Sequence, residues 1–190
     1  MLQNIWKGTA VFVACCFVVA AAVPQGWFLA GSNRQGYESD VDAQAIYNGQ
    51  PSAFLKARKP DVEGFGTLMQ SFRADKYFGM RVRFSAFVKS EGVEGWAGLW
   101  MRVDKGTKSV AFDNMQNRPI KGTSAWQRYE VVLDVPRDSS GIFFGILLSG
   151  PGTVWLNSVK FQAVGESVST TGLPAGTPSG DEPTNLNFEK

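Results

Sequence analysis

The chain has 190 residues, 19 basic and 17 acidic side chains for a formal charge of +2, and no histidine. Its two cysteines, Cys15 and Cys16, sit inside one short apolar run, so a chain that loses this run has neither His nor Cys. That excludes Ser-His-Asp and Cys-His nucleophilic catalysis, imidazole acid–base chemistry and metal sites built on those ligands. The near-neutral balance gives no electrostatic case for nucleic acid or for an anionic membrane surface.

Ala10 to Val23 is unbroken apolar sequence, preceded by Lys7 and followed by Pro24-Gln25-Gly26. As a helix it rises about 21 Å, short of the roughly 30 Å of hydrocarbon that a span must cross. Ala20 and Ala22 form an A-x-A site, so residues 1–23 read as a signal peptide cut after Ala22. An uncleaved signal anchor lengthened by Ile5 and Trp6, a lipoprotein site at Cys15 or Cys16, and a buried helix are the alternatives. The expectation is export to the periplasm or the extracellular space, with the inner membrane touched only through residues 1–23 if they remain attached.

From Trp27 to Val164 the dominant period is two. Weak strands are predicted at 26–32, 37–43, 52–57 and 64–72, then a helical turn at 73–78. Met80, Val82, Phe84, Ala86 and Val88 alternate with Arg81, Arg83, Ser85, Phe87 and Lys89 as in a half-buried strand. Ala97, Leu99, Met101 and Val103 form a second apolar set, and Tyr129, Val131, Leu133 and Val135 a third. Residues 141–148 (GIFFGILL) are apolar on both faces, as in a covered central strand. Val154, Leu156, Val159 and Phe161 close the series with a kink near Asn157. Turn signals at Asn48-Gly49, Lys59-Pro60, Glu91-Gly92, Lys105-Gly106, Lys121-Gly122 and Pro151-Gly152 separate these runs. About nine or ten short strands at this spacing predict an all-β fold, an antiparallel two-sheet β-sandwich of jelly-roll type behind an N-terminal hydrophobic signal helix.

Residues 165–184 are Gly, Ser, Thr and Pro without period and read as a flexible linker. Residues 185–190 (NLNFEK) regain strand character. The domain is therefore placed at 24–164, with 185–190 either completing the sandwich, forming a disordered tail, or beginning a lost repeat.

Gly26-Trp27-Phe28-Leu29-Ala30-Gly31-Ser32, Tyr37-Glu38 with Asn48-Gly49-Gln50-Pro51-Ser52, and the closing Val154-Trp155-Leu156-Asn157-Ser158-Val159-Lys160-Phe161 resemble the strands of carbohydrate-binding-module-like, galactose-binding-type jelly rolls. Residues 96–104 and 112–119 are similar to a group of small bacterial jelly-roll proteins, some of whose relatives carry transcriptional-regulator labels. The resemblance implies the fold and a glycan-binding, protein-binding or structural role. Relatives often start with an N-l-x-F-E strand before the Gly-Trp segment. Here the matching Asn185-Leu186-Asn187-Phe188-Glu189 stands at the opposite end.

If the odd-numbered residues of 97–103 face the core, Trp96, Trp100, Arg102 and Asp104 share the opposite face. Indole rings stack on pyranose C–H faces while charged groups take hydroxyls. The alternative is that one or both indoles pack under a loop. Asp113, Asn114 and Gln116 lie in a polar connection that either contacts a ligand or ties down its own loop. Arg81 and Arg83 either bind acidic glycans or pair with Glu130 and Asp134. Asp104, Asp113, Glu130 and Asp134 offer carboxylates, but no spacing singles out a glycosidase pair.

The expected function is a non-catalytic exported module that binds a glycan through Trp96, Trp100, Arg102, Asp113, Asn114 and Gln116. No cofactor is expected beyond an optional structural calcium ion, and no nucleic acid. The alternative is a structural, protein-interaction or sensory domain of the cell envelope, related to regulators and using the same face against a partner protein.

Overall fold

The computed structural model describes residues 23–172; the predicted signal helix with Cys15 and Cys16, most of the predicted linker, and residues 185–190 lie outside the described residues. Among the described residues, nine strands and two short 3-10 turns make up the regular structure, the all-β class that the period of two predicts. The strands are β1 (Phe28–Ala30), β2 (Tyr37–Tyr47), β3 (Gln50–Ala57), β4 (Phe65–Arg73), β5 (Met80–Lys105), β6 (Lys108–Asp113), β7 (Ile120–Val135), β8 (Gly141–Ser149) and β9 (Thr153–Val164). All pairings are antiparallel, in the order β1-β4-β8-β5-β9-β3-β2, with β6 and β7 also on β5.

This continuous path exists because β5 serves both layers of the sandwich. Its first half pairs with β7 and β9, and its second half, from Trp96 onward, pairs with β8 and β6. One layer is therefore β7-β5-β9-β3-β2 and the other β1-β4-β8-β5-β6. Glu91-Gly92, predicted as a turn, lies inside β5, where Gly92 has φ +58. Register slips against β7 between Val88 and Ser90, Ser90 and Val93, and Val93 and Ala97 mark bulges that carry the strand from one layer to the other. Lys121-Gly122 is likewise inside β7, with Gly122 opposite Val93. Tight turns and some bulges both use a left-handed residue, so the dipeptide alone does not distinguish them.

The predicted alternation builds the core. Val82, Phe84, Ala86 and Val88 from one half of β5 and Ala97, Leu99, Met101 and Val103 from the other are each at most 1% exposed and share one hydrophobic cluster. Ile142, Phe144, Ile146 and Leu148 of β8 join the same cluster. Tyr37 anchors one end of the sandwich. Its hydroxyl donates to the Gly64 carbonyl at 3.0 Å and accepts from the Gly150 N–H at 3.0 Å. Gly66 makes room for its ring, since a Cβ there would come within 2.5 Å of Tyr37 Cγ.

Asn48 (φ 50) and Gly49 (φ 75) join β2 to β3 between the paired Tyr47 and Gln50, a two-residue hairpin turn of the I′ geometry. A Cβ at Gly49 meets nothing within 4 Å, so Gly49→Ala isolates the backbone preference. The expected cost is about 1 kcal/mol, read as a lower urea midpoint with an unchanged slope.

The chain does not leave the domain where β9 ends. Arg81 binds Asp134 through Nε and Nη2 at 2.7 and 2.9 Å, and its Nη1 donates to the carbonyls of Glu166 and Val168 at 2.9 and 2.7 Å. Thr171 N–H then donates to Val132 O at 2.9 Å, while Val132 N–H donates to Thr171 Oγ1 at 2.8 Å. This closes part of the β7 edge that β5 does not pair. Gly172 reaches β6, where a Cβ would stand 3.0 Å from the Phe112 carbonyl.

Candidate functional site: an aromatic groove on one sheet face

The outer face of the β1-β4-β8-β5-β6 layer carries a groove of about 470 Å³, lined by Trp96, Trp100 and Arg102 of β5, Phe65, Thr67 and Met69 of β4, Leu147 and Ser149 of β8, Ala30 and Gly31 at β1, Phe112 of β6, and Asn114. The parity read from residues 96–104 places these side chains. Odd positions fill the core, so even positions point to the opposite face. Four of the six sequence-predicted residues, Trp96, Trp100, Arg102 and Asn114, line this groove.

The two indoles have different surroundings. Trp100 is only 8% exposed and forms a small second cluster with Met69 and Leu147. Its Nε1 donates to Thr67 Oγ1 at 2.7 Å, and that hydroxyl donates in turn to the Ile146 carbonyl at 2.8 Å. Trp100 is therefore the groove floor, with its polar atom already used. Trp96 is half-buried and packs against the same cluster from the side, leaving part of its ring open. Arg102 is held in place rather than free. Its Nε and Nη2 donate to the two carboxylate oxygens of Asp104 at 2.9 Å each, and its guanidinium lies 4.6 Å from the Phe143 ring centroid.

Asp113 and Gln116 are not brought into the groove. Asp113 is 7% exposed and accepts from Arg118 Nη2 at 2.6 Å, from Arg118 Nη1 at 3.1 Å and from the Met115 N–H at 2.9 Å. Arg118 also donates to the Glu130 carbonyl of β7 at 3.2 Å, so this ion pair ties the loop to the neighbouring layer. It holds Met115, buried at 1% exposure, in the left-handed region at φ 62. Gln116 is exposed, and its backbone N–H donates to Asn114 Oδ1 at 3.1 Å. Asp113 thus fastens its own loop, and Asn114 does so through Oδ1 while also lining the groove.

Thr67, Met69 and Leu147 complete the floor, and Phe65 and Phe112 the walls; residue-type reasoning alone passed over them. The signals were present. GIFFGILL is apolar on both faces, so half of it must cover something other than the main core. Gly98, between the two tryptophans on the same face, marks a close approach, because a Cβ there would lie 2.8 Å from Asn114 O and 3.0 Å from Met115 Cβ. The loop bearing Asn114 thus rests on the bare position in the strand.

The arginine row on the other layer is paired. Arg81 holds Asp134, and Arg83 lies 3.9 Å from Glu130. The remaining described indoles pack locally. Trp27 meets Phe144 edge-on, and Trp126 contacts Tyr47, which stacks on Phe87. Trp155 Nε1 donates to Asp42 Oδ2 at 2.8 Å. That bond first, and the Gln44 N–H second, hold the Asp42 carboxyl below the ordinary carboxylate range. A carboxyl with a depressed folded-state pKa stabilises the fold above its unfolded value near pH 4, and this contribution is lost as pH falls through the folded value. Asp42→Asn is expected to lower Tm at pH 7 and to show a shallower further decline between about pH 4 and 2 than the wild-type chain. Parallel acid slopes would show that Asp42 is not responsible.

Among the described residues, no group of three or more His, Cys, Asp or Glu converges on a metal-sized site. The described fold is similar to the jelly roll seen in carbohydrate-binding modules. The CBM22-1 xylan-binding domain of Paenibacillus barcinonensis Xyn10C superposes with a TM-score of 0.54 at 20% identity, covering 75% of this chain and 88% of that one. A Stig cyclase of Fischerella sp. TAU, in complex with an indole compound, superposes with a TM-score of 0.56 at 15% identity, covering 76% and 88%. Both are likenesses of fold, and the fold hosts a binding module and a cyclase alike.

In sequence, the chain is 47% identical over 168 residues to YbfP of Bacillus subtilis (strain 168), described as an uncharacterised HTH-type transcriptional regulator. The match covers 87% of this chain and 57% of the relative, so the chain spans little more than half of that protein's length. No protein-family model matches the sequence.

Proposed function

We propose that this chain is a non-catalytic binding module that holds a glycan in the aromatic groove, and that it acts after export. Trp96 supplies the open stacking face, with Phe65 and Phe112 as apolar walls and Trp100 as a fixed floor. Arg102, oriented by Asp104, presents its remaining N–H groups, and Asn114 presents its amide nitrogen for sugar hydroxyls. Asp113 acts on binding only through the loop that it fastens. The observation that carries this reading is a groove built of aromatic and apolar side chains, with few polar groups at its margin, on the outer face of a sandwich whose fold resembles that of a xylan-binding module.

A glycan array probed with the full chain tests it. Binding to a defined neutral or acidic glycan is expected, weakened about 30-fold or more in Trp96→Ala, with Tm changed by no more than a few degrees. A blank across the array overturns the proposal.

The relation to YbfP favours a second reading, in which the domain senses a ligand or contacts a protein on behalf of a regulator. A blank glycan array together with a concentration-dependent oligomer that Trp96→Ala disrupts would support this reading instead.

A further inference from the structure

We propose that the groove takes an amphiphilic glycoside, a sugar whose glycosidic oxygen carries a hydrocarbon substituent. The sugar sits on the side of β5 and β6 and the hydrocarbon on the side of β1, β4 and β8. The inference rests on the groove being a glycan site and names the chemical class of its ligand.

The groove is divided by what its polar atoms already do. On β4 and β8 the lining hydroxyls are those of Thr67 and Ser149. The Thr67 hydroxyl donates to the Ile146 carbonyl at 2.8 Å while it accepts from Trp100 Nε1 at 2.7 Å, and Ser149 donates to the Gly64 carbonyl at 3.3 Å. A hydroxyl has one proton to give, so with both committed this side offers a sugar no side-chain donor. It offers hydrocarbon instead: Ala30, Phe65, Met69 and Leu147 around the Trp100 indole, which crosses β8 to reach Thr67. No charged side chain lines it.

The other side is built differently. Arg102 keeps the N–H groups that Asp104 does not take, and Asn114 has its Oδ1 occupied by the Gln116 N–H and its amide nitrogen left over. Both line the groove with Trp96 and Phe112, and Phe112 is directly opposite Arg102 in the β5–β6 pairing. A pyranose carries hydroxyls around its whole edge, and each one buried without a partner weakens binding about tenfold. A further sugar ring is therefore disfavoured on the apolar side. A methylene there is favoured, by about fourfold when fully buried.

The spacing suits one molecule. Phe65 and Trp96 are both in register with Ser149, so they lie two strand spacings apart, roughly 10 Å. A pyranose stacked on Trp96 thus directs a short alkyl chain on its anomeric oxygen toward Phe65, which at 38% exposure leaves apolar surface for the chain to cover.

Titration calorimetry with the full chain tests the assignment, using the methyl and hexyl forms of β-glucoside, β-galactoside and β-xyloside together with 1-hexanol. At least one hexyl glycoside is expected to bind about 30-fold or more tighter than both its methyl counterpart and 1-hexanol. Phe65→Ser is expected to cut that hexyl advantage severalfold, with Tm lowered by no more than a few degrees. Equal affinity of methyl and hexyl forms for all three sugars, or a hexyl advantage unchanged in Phe65→Ser, overturns the proposal. A chain that binds glycans on the array yet shows no hexyl preference loses this inference alone. One that binds 1-hexanol as tightly as every hexyl glycoside, with a blank array, loses the glycan reading and this inference with it.

Discussion

Substituting Trp100 by alanine is expected to destabilise the domain by about 4 kcal/mol, measured as the loss of unfolding free energy in urea. The indole is 8% exposed and packed with Met69 and Leu147, so its removal leaves a void over β4 and β8, whose backbone pairing in register keeps them from moving to fill it. Its bond to Thr67 Oγ1 is also lost. Trp100→Phe retains most of the volume and gives up the hydrogen bond, so it is expected to cost about 1–2 kcal/mol. A loss below about 1 kcal/mol for the alanine variant would show that the floor is not a packed element. The contrast with Trp96 has a practical side. A binding defect in Trp100→Ala mixes affinity with folding, whereas Trp96, half-buried at the side of the groove, reports affinity.

Arg118→Ala is expected to cost about 3 kcal/mol, toward the lower end for breaking a buried pair because the arginine side chain itself keeps 34% of its exposure. The variant strands the Asp113 carboxylate, 6% exposed at its side chain, with the Met115 N–H as its remaining partner among the contacts described. It also removes the donor on the Glu130 carbonyl of β7. Adding Asp113→Asn to the same variant should restore part of the loss, because a neutral amide can be buried more cheaply while its oxygen still accepts from Met115. If the double variant is less stable than Arg118→Ala alone, the ion pair is not the origin of the effect.

The alternation of residues 80–88 and 97–103 made the two core faces legible before any coordinates, because a half-buried strand leaves a period that composition cannot imitate. The Asn48-Gly49 hairpin was legible for a similarly local reason: two left-handed residues in succession have few other uses. The continuity of β5 was not. Gly92 carries the same backbone signal in a bulge as in a turn, and only its partners on β7 and β9 separate the two. The groove was half legible. The face of Trp96, Trp100 and Arg102 follows from parity within one strand. That this face meets Met69 and Leu147 depends on which strands lie beside it, a long-range fact with no local mark. Asp113 shows the remaining difficulty. A loop of Asp, Asn, Gln and Arg has the same composition whether its side chains await a ligand or hold Met115 in place, and the deciding contact spans five residues to Arg118.

The passage of β5 through both layers has a mechanical consequence. In a sandwich whose layers are joined only by loops, the two can slide over one another when something wedges into a face. Here a single backbone is stitched into each, so sliding is blocked on that side and deformation concentrates at the bulges between Val88 and Ala97, beside the indole of Trp96. A load on the groove face would thereby be felt as a change of bend in one strand, shared by both layers.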